Sequence, residues 1–154
     1  MEFFEVIKKR HCVRKFAPDK AVSDEDIEKI IDAGKKAPSA GGFYPTRFSV
    51  IKKKDFDKLG GAIPERMHWF KDASVVLVVW SDPKETINQY QERGENLYII
   101  QDAAAAAENI FLAVTALGLA TCWIGTFDDE KLKDFLKLKG NQRPFVIMPI
   151  GYEK

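Results

Sequence analysis

Two guanidiniums and an imidazole fall within five residues in Arg10-His11-Cys12-Val13-Arg14. A guanidinium is planar, permanently charged and forked, so it meets a phosphate through paired hydrogen bonds. The stretch is therefore a candidate phosphate grip. The same residues, with Lys8, Lys9 and Lys15, also read as a solvated basic face, because runs of charge often do no more than meet water. A second stretch is Pro38-Ser39-Ala40-Gly41-Gly42-Phe43-Tyr44-Pro45. Paired glycines between prolines serve backbone angles closed to other residues, either in a tight turn or where backbone comes close to a flat ligand.

The remainder of the chain removes several chemistries. Basic and acidic residues number 24 and 23, a formal net charge of +1, so no global field draws the chain to nucleic acid or to an anionic membrane. Cys12 and Cys122 lack metal-ligand spacing, and two His residues without a Cys or carboxylate cluster give no metal site. There is no G-x-G-x-x-G, no G-x-x-x-x-G-K-S/T, no nucleophile elbow and no paired Cys–His arrangement. Hydrolysis through a side-chain nucleophile is disfavoured, and no catalytic side chain is assigned. His68, inside the apolar Met67-His68-Trp69-Phe70, has no acid or nucleophile beside it and reads as core or subunit contact. Met1 leads into a charged amphipathic segment without an apolar signal core, and no uninterrupted apolar run reaches about 18 residues. A reduced, cytoplasmic setting without a membrane segment is the expectation.

These stretches need elements to hold them. A hydrophobic share of 45% over 154 residues suffices for one core, so a single domain, 1–154, is expected. Phe3, Phe4, Val6 and Ile7 fall at helical spacing, and the basic cluster sits where that short helix ends. Ser23 with Asp26 opens a helix running to about Gly34, with Ile27, Ile30 and Ile31 inward. Arg47–Ile51 reads as a strand, Asp55–Gly60 as a short helix, and Val75–Trp80, continuously apolar and branched, as a central strand covered on both faces. Leu97–Leu117 is the longest helical signal, apolar on several faces and capped by Gly118. Its alanines suit close packing on another helix, within the chain or in a dimer. Leu119–Gly125 reads as a strand, Asp128 opens a helix with Leu132, Phe135 and Leu136 inward, and Phe145–Ile150 is the last strand. Helices and strands intermix without regular alternation, so the fold class is α+β.

Four separated stretches, in order, resemble the nitroreductase family of FMN-dependent oxidoreductases. Arg10-His11-Cys12-Val13-Arg14 is similar to the family's Arg-(Arg/His)-Ser-x-(Arg/Lys), and Pro38-Ser39-Ala40-Gly41-Gly42 to its Pro-Ser-(Ala/Ser)-x-Asn loop. Gly118 to Gly125 resembles its Gly-Leu-x-x-Cys-Trp-Ile-Gly segment, and Phe145 to Tyr152 its closing strand and Gly-Tyr. The resemblance implies an α+β fold with a central mixed or antiparallel sheet of about four strands, flanking helices and a long buried central helix. It further implies a homodimer with FMN at the interface, NADH or NADPH as donor, and a small-molecule acceptor such as a nitro compound or quinone. Position by position, Arg10, His11, Cys12 and Arg14 would hold the FMN phosphate and ribityl chain, and Pro38, Ser39, Ala40 and Gly42 would line the ring. Backbone N–H groups at Ile124, Gly125 and Thr126 would approach flavin N5 and O4. Substrate choice would lie in residues 60–72 and 83–96, with Trp69, Phe70 and Tyr90 over the flavin.

The chain departs from the family at places that bear on the cofactor. Cys12 stands where Ser is usual, Gly42 where Asn is common, and many relatives continue past the position of Lys154 into an arm carrying a further cation. These departures point toward weaker FMN retention, and toward an alternative: a flavin-binding carrier, sensor or interaction module without turnover. Cys12, flanked by Arg10 and Arg14, reads either as a plain Ser replacement or as an oxidation-sensitive thiol. Cys122 reads as a small core residue.

Overall fold

The run Val75–Ser81, β2, is apolar without a break because both of its faces are covered. Side chains on a strand alternate sides, so Val75, Leu77 and Val79 enter one core while Val76 and Val78 enter another. A computed structural model describes residues 1–154. In it β1 (Thr46–Lys52), β2, β3 (Ala120–Thr121) and β4 (Arg143–Gly151) form one sheet in the order β1-β2-β4-β3. Every neighbouring pair is antiparallel, which resolves the expected sheet to its antiparallel form and bears out the α+β class.

The first face is covered by α2 (Asp24–Lys35) and α5 (Ile99–Ala116), through Ile27, Ile30, Ala103, Ala107, Ile110 and Val114. α2 starts where its sequence says: Ser23 Oγ accepts the Asp26 N–H at 3.1 Å. α5 ends at Gly118 in the left-handed region (φ 71°), with the Leu119 N–H donating to the Val114 carbonyl at 3.0 Å. The second face carries α3 (Phe56–Gly60), a 3₁₀ stretch over Glu65–Asp72 and α6 (Asp129–Leu136), packed through Phe56, Leu59, Phe70 and Leu132. α6 is capped by Asp128, whose carboxylate accepts the Lys131 N–H at 3.0 Å.

Two expectations change, for the edge strand and for Phe70, and two elements go beyond what the sequence marked. The strand expected over Leu119–Gly125 is only Ala120–Thr121, with a single returning bridge from Ile124 to Ile147. As an edge it has one strand neighbour, and the chain lifts off it at Cys122 and Trp123. Residues 83–96 are largely helical: α4 (Lys84–Arg93) and a π-helical turn at Gly94–Tyr98 join α5 into a run of 33 residues. By length and composition that run could cross a membrane; here it breaks at Gln91 (φ 51°) and buries its apolar face against the sheet. Phe70, expected over a flavin, is 1% exposed and packs on Phe56 at 5.7 Å between ring centroids. On α1 (Phe3–Lys9) only Val6 of the apolar stripe is buried, and Phe4 is 81% exposed.

α2 approaches the core most closely at Gly34, where a Cβ would stand 2.9 Å from both Ile110 Cδ1 and Phe48 Cζ. Overpacking a filled core costs about 1–3 kcal/mol. Gly34→Val should therefore lower the unfolding free energy by about 1–3 kcal/mol, read as a lower urea midpoint, with an unchanged far-ultraviolet spectrum. A midpoint equal to wild type would show that α2 does not sit at this distance from α5.

Candidate functional site

α1 ends at Arg10, whose N–H donates to the Val6 carbonyl at 2.9 Å. The turn lays its guanidinium on α5, with Cζ 4.8 Å from the Phe111 ring centroid and Nε 3.7 Å from Glu108 Oε1. His11 is exposed; its ring meets the Lys9 carbonyl through Nδ1 at 2.8 Å and Glu153 Oε1 through Nε2 at 3.5 Å. The Lys9 carbonyl first, then Glu153, hold its pKa above the ordinary value of 6.5. Arg14 is exposed and takes part in no ion pair. It is a free cation beside a half-engaged one.

The basic stretch is fastened to the edge of the sheet. The Val13 N–H donates to the Thr121 carbonyl at 2.9 Å, and Val13 itself is buried. That bond sets Cys12 against Cys122: burial, and after it the hydrogen bond and charge of Cys12, push the Cys122 thiol up to about 12. Cys122 is buried, as expected of a core residue, while Cys12 is exposed. Two residues past Cys122, Ile124 gives its N–H to the Ile147 carbonyl at 2.9 Å and accepts from the Ile147 N–H at 3.0 Å. Ile124 thus has no donor to offer a ligand. The exposed Gly125 and Thr126 N–H groups meet no acceptor in the chain. A Cβ on Gly125 would find nothing closer than Trp123 Nε1 at 3.7 Å, so the fold itself does not demand glycine there.

The Pro38–Pro45 loop has the backbone its glycines announce: φ is 62° at Gly41, 69° at Gly42 and 48° at Tyr44. At Gly41 a Cβ would stand 2.7 Å from the Tyr90 hydroxyl, while at Gly42 the nearest atom is 4.0 Å away. Tyr90 therefore touches this loop, its ring 6.2 Å from that of Phe43. The anchor is Asp102, a carboxylate 6% exposed on α5. Its Oδ2 accepts from Ser39 Oγ at 3.0 Å and its Oδ1 from the Ala40 N–H at 3.1 Å, while Ser39 Oγ accepts the Tyr44 N–H at 2.9 Å. Sequence reasoning missed Asp102, although one acid inside the apolar Ile99–Ala107 run was a signal that it meets polar partners. A cleft of about 740 Å³ opens beside the loop, lined by Pro38, Ser39, Tyr44, Arg47, Phe48 and Asp102 among others; no residue of Arg10–Arg14 or Ile124–Thr126 lines it.

One chain thus brings two of the three stretches together. Arg10–Arg14 and Gly125–Thr126 share the β3 edge, whereas the loop is tied to α5 at Asp102. Arg10 meets the same helix at Glu108, about 9 Å further along its axis and about 240° round it. The loop and the grip are on different sides of α5.

A family model described as the nitroreductase family matches residues 7–67 and 62–152. An Archaeoglobus fulgidus protein provisionally named NADH dehydrogenase/NAD(P)H nitroreductase is 33% identical over 157 residues, spanning 99% of this chain and 86% of its own. A solved nitroreductase family protein from Clostridium novyi superposes with a TM-score of 0.86 at 33% identity, covering 100% of this chain and 86% of its own. A provisionally named Desulfovibrio desulfuricans nitroreductase, solved in complex with FMN, gives a TM-score of 0.83 at 28% identity over 99% of this chain and 87% of its own.

Two outcomes follow from the contacts at the site. The His11 ring should titrate above 6.5 by proton NMR, and Glu153→Gln should bring it part of the way back. With the folded pKa raised, its contribution to stability is complete below the unfolded pKa near 6.5 and fades as pH rises through the folded value. A ring that titrates at or below 6.5 in wild type contradicts the contact geometry. Asp102→Ala leaves Ser39 Oγ and the Ala40 N–H without their acceptor, at a cost of about 1–3 kcal/mol. Its amide exchange should quicken over residues 39–44 while α5 stays protected; equal protection of the loop would show that another group holds it.

Proposed function

This chain belongs to the nitroreductase family, FMN-dependent oxidoreductases, and we propose that it takes electrons from NADH or NADPH and reduces a small acceptor such as a nitro compound or quinone. The observation that carries the reading is the set of polar groups left without partners along one edge of the sheet: Arg14, next to the Val13 that bonds Thr121, and the Gly125 and Thr126 N–H groups on the segment that follows β3. Exposed donors clustered in this way suit an anionic ligand with acceptors along one side. The residues fit FMN. Arg10, His11, Cys12 and Arg14 would hold the phosphate; Gly125 and Thr126 would donate to the acceptor edge of the ring; Pro38, Ser39, Ala40 and Gly42 would lie along its face.

When bound, FMN would supply the redox chemistry, hydride transfer between the nicotinamide and the acceptor. The chain's own part is orientation and electrostatics. Fixed N–H donors at Gly125 and Thr126 favour negative charge on their ligand without reorganising. A Cβ at Gly125 would stand between those donors and the ligand, which supplies a reason for glycine that the fold does not. No side-chain nucleophile is needed, in keeping with the motifs the sequence lacks.

The site is proposed to need two chains. Support comes from the loop and the grip lying on different sides of α5, and from the exposed Phe3, Phe4 and Ile7 of α1, an apolar stripe suited to a second copy. The homodimer then sets the partner's loop over each grip.

Purified protein reconstituted with FMN and desalted should be yellow and should bleach on addition of NADH or NADPH. Arg14→Ala should weaken FMN binding roughly ten- to hundredfold, the worth of one charge-assisted contact of about 1.5–3 kcal/mol. Arg14→Ala and Asp102→Ala chains, refolded together, should regain part of the flavin that neither holds alone. No retained flavin in the wild type would sink the FMN reading; retained flavin that no nicotinamide bleaches would return the chain to the carrier or sensor class. Failure of the mixed chains to recover flavin would place each site within one subunit.

A further inference from the structure

The two cysteines are the chemistry that the oxidoreductase reading does not use. We infer that Cys12 and Cys122 form a dithiol pair that closes to an intramolecular disulfide under peroxide, loosening the Arg10–Arg14 grip. Three observations place the sulfurs together. The Val13 N–H to Thr121 carbonyl bond, at 2.9 Å, joins the residue after Cys12 to the residue before Cys122. One peptide unit on each side of that bond holds the two Cα atoms about 5–7 Å apart, which overlaps the range a disulfide spans. The Cys12 side chain is near enough to raise the Cys122 pKa, after burial, and Arg14 near enough to lower it. One sulfur is open to solvent and the other is buried, the arrangement of an attacking thiol with a protected resolving partner.

The step balances as follows. The Cys12 thiolate attacks one oxygen of hydrogen peroxide, the O–O bond breaks, hydroxide leaves, and Cys12 carries a sulfenic acid. Cys122 sulfur then attacks the Cys12 sulfur, forming S–S and expelling hydroxide, which takes up the Cys122 proton and leaves as water. Two thiols and one peroxide give one disulfide and two waters. Burial is the first cause that holds the proton on Cys122 and it persists; oxidation of Cys12 removes the smaller contribution of its hydrogen bond and charge, which eases the resolving step.

The consequence for phosphate binding rests on the FMN reading above. Tied to a buried sulfur on the sheet edge, Cys12 is drawn inward between Arg10 and Arg14, and its S–H is no longer present as a donor. The open dithiol is thus the form that grips, and the closed one the form that releases. A serine at position 12 would grip without this control.

The test treats the full-length, flavin-free protein with equimolar hydrogen peroxide and reads mass, free thiols and FMN affinity by fluorescence quenching. Expected are a loss of two mass units and of both thiols, reversed by dithiothreitol, and FMN binding at least tenfold weaker in the oxidised form. Cys12→Ser and Cys122→Ser proteins should each fail to lose those two mass units; Cys12→Ser should bind FMN equally before and after peroxide, while Cys122→Ser should gain oxygen on Cys12 instead. Addition of two oxygens to Cys12 with Cys122 still free would overturn the pairing. A disulfide that leaves FMN affinity unchanged overturns the control but not the pair. If the disulfide forms and neither state binds FMN, the pair stands and it is the flavin reading that falls.

Discussion

Burial of α5 across one face of the sheet is the constraint from which the rest follows. Ala103, Ala106 and Ala107 are fully buried, so the helix axis comes close to β2 and β4, and Ile110, Phe111 and Val114 fill the space that remains. Once that axis is fixed, every functional stretch is placed by where it touches the helix or the strand that follows it. Asp102 holds the Pro38 loop on one side, Glu108 and Phe111 hold Arg10 on another, and Gly118 turns the chain into the edge that carries Cys122 and Gly125. The site is a consequence of helix packing more than of any local motif.

The polar groups sort into two kinds. Those that position the backbone are satisfied inside the chain: Ser39 and Ala40 on Asp102, Val13 on Thr121, Ile124 on Ile147. Among those left over at the site are Arg14, two consecutive N–H groups on exposed residues and the buried Thr121 hydroxyl. A buried carboxylate that receives two donors is costly to leave half-paired, so Asp102 makes the loop rigid by necessity. The exposed donors cost nothing while water reaches them. The same separation, rigid support beneath and unpaired donors above, is what a pre-organised binding surface requires.

Much of the fold was legible because its signals are local. β2 declared itself by an unbroken branched run, α2 and α6 by capping residues, and the end of α5 by Gly118. What the sequence hid depends on distant partners. The strand expected over Leu119–Gly125 is apolar enough to continue, but as a sheet edge it has only β4 to pair with and leaves after Thr121. Phe70 has the same aromatic character as a ring that stacks on a ligand, and only the positions of Phe56 and Leu59 make it core. At the site, residue types marked the grip and the loop, while Asp102, Glu108 and the nearness of Cys12 to Cys122 emerge only when segments about 60 to 110 residues apart are folded together.

The placement of loop and grip on different sides of α5 has an energetic consequence under the two-chain reading. A ligand held between subunits binds the dimer and not the separated chains, so its binding free energy adds to the association free energy. The exposed stripe of Phe3, Phe4 and Ile7 would supply apolar area on its own, but a stripe on a seven-residue helix is small for a stable interface. Cofactor and dimer then depend on each other: weakening the phosphate grip weakens assembly, and dilution below the dimer's dissociation constant releases the cofactor. Under the same reading, the proposed redox step at Cys12, sited in the middle of that grip, would act on both equilibria at once, so that a single pair of sulfurs would suffice to control a site built from three separate stretches of chain.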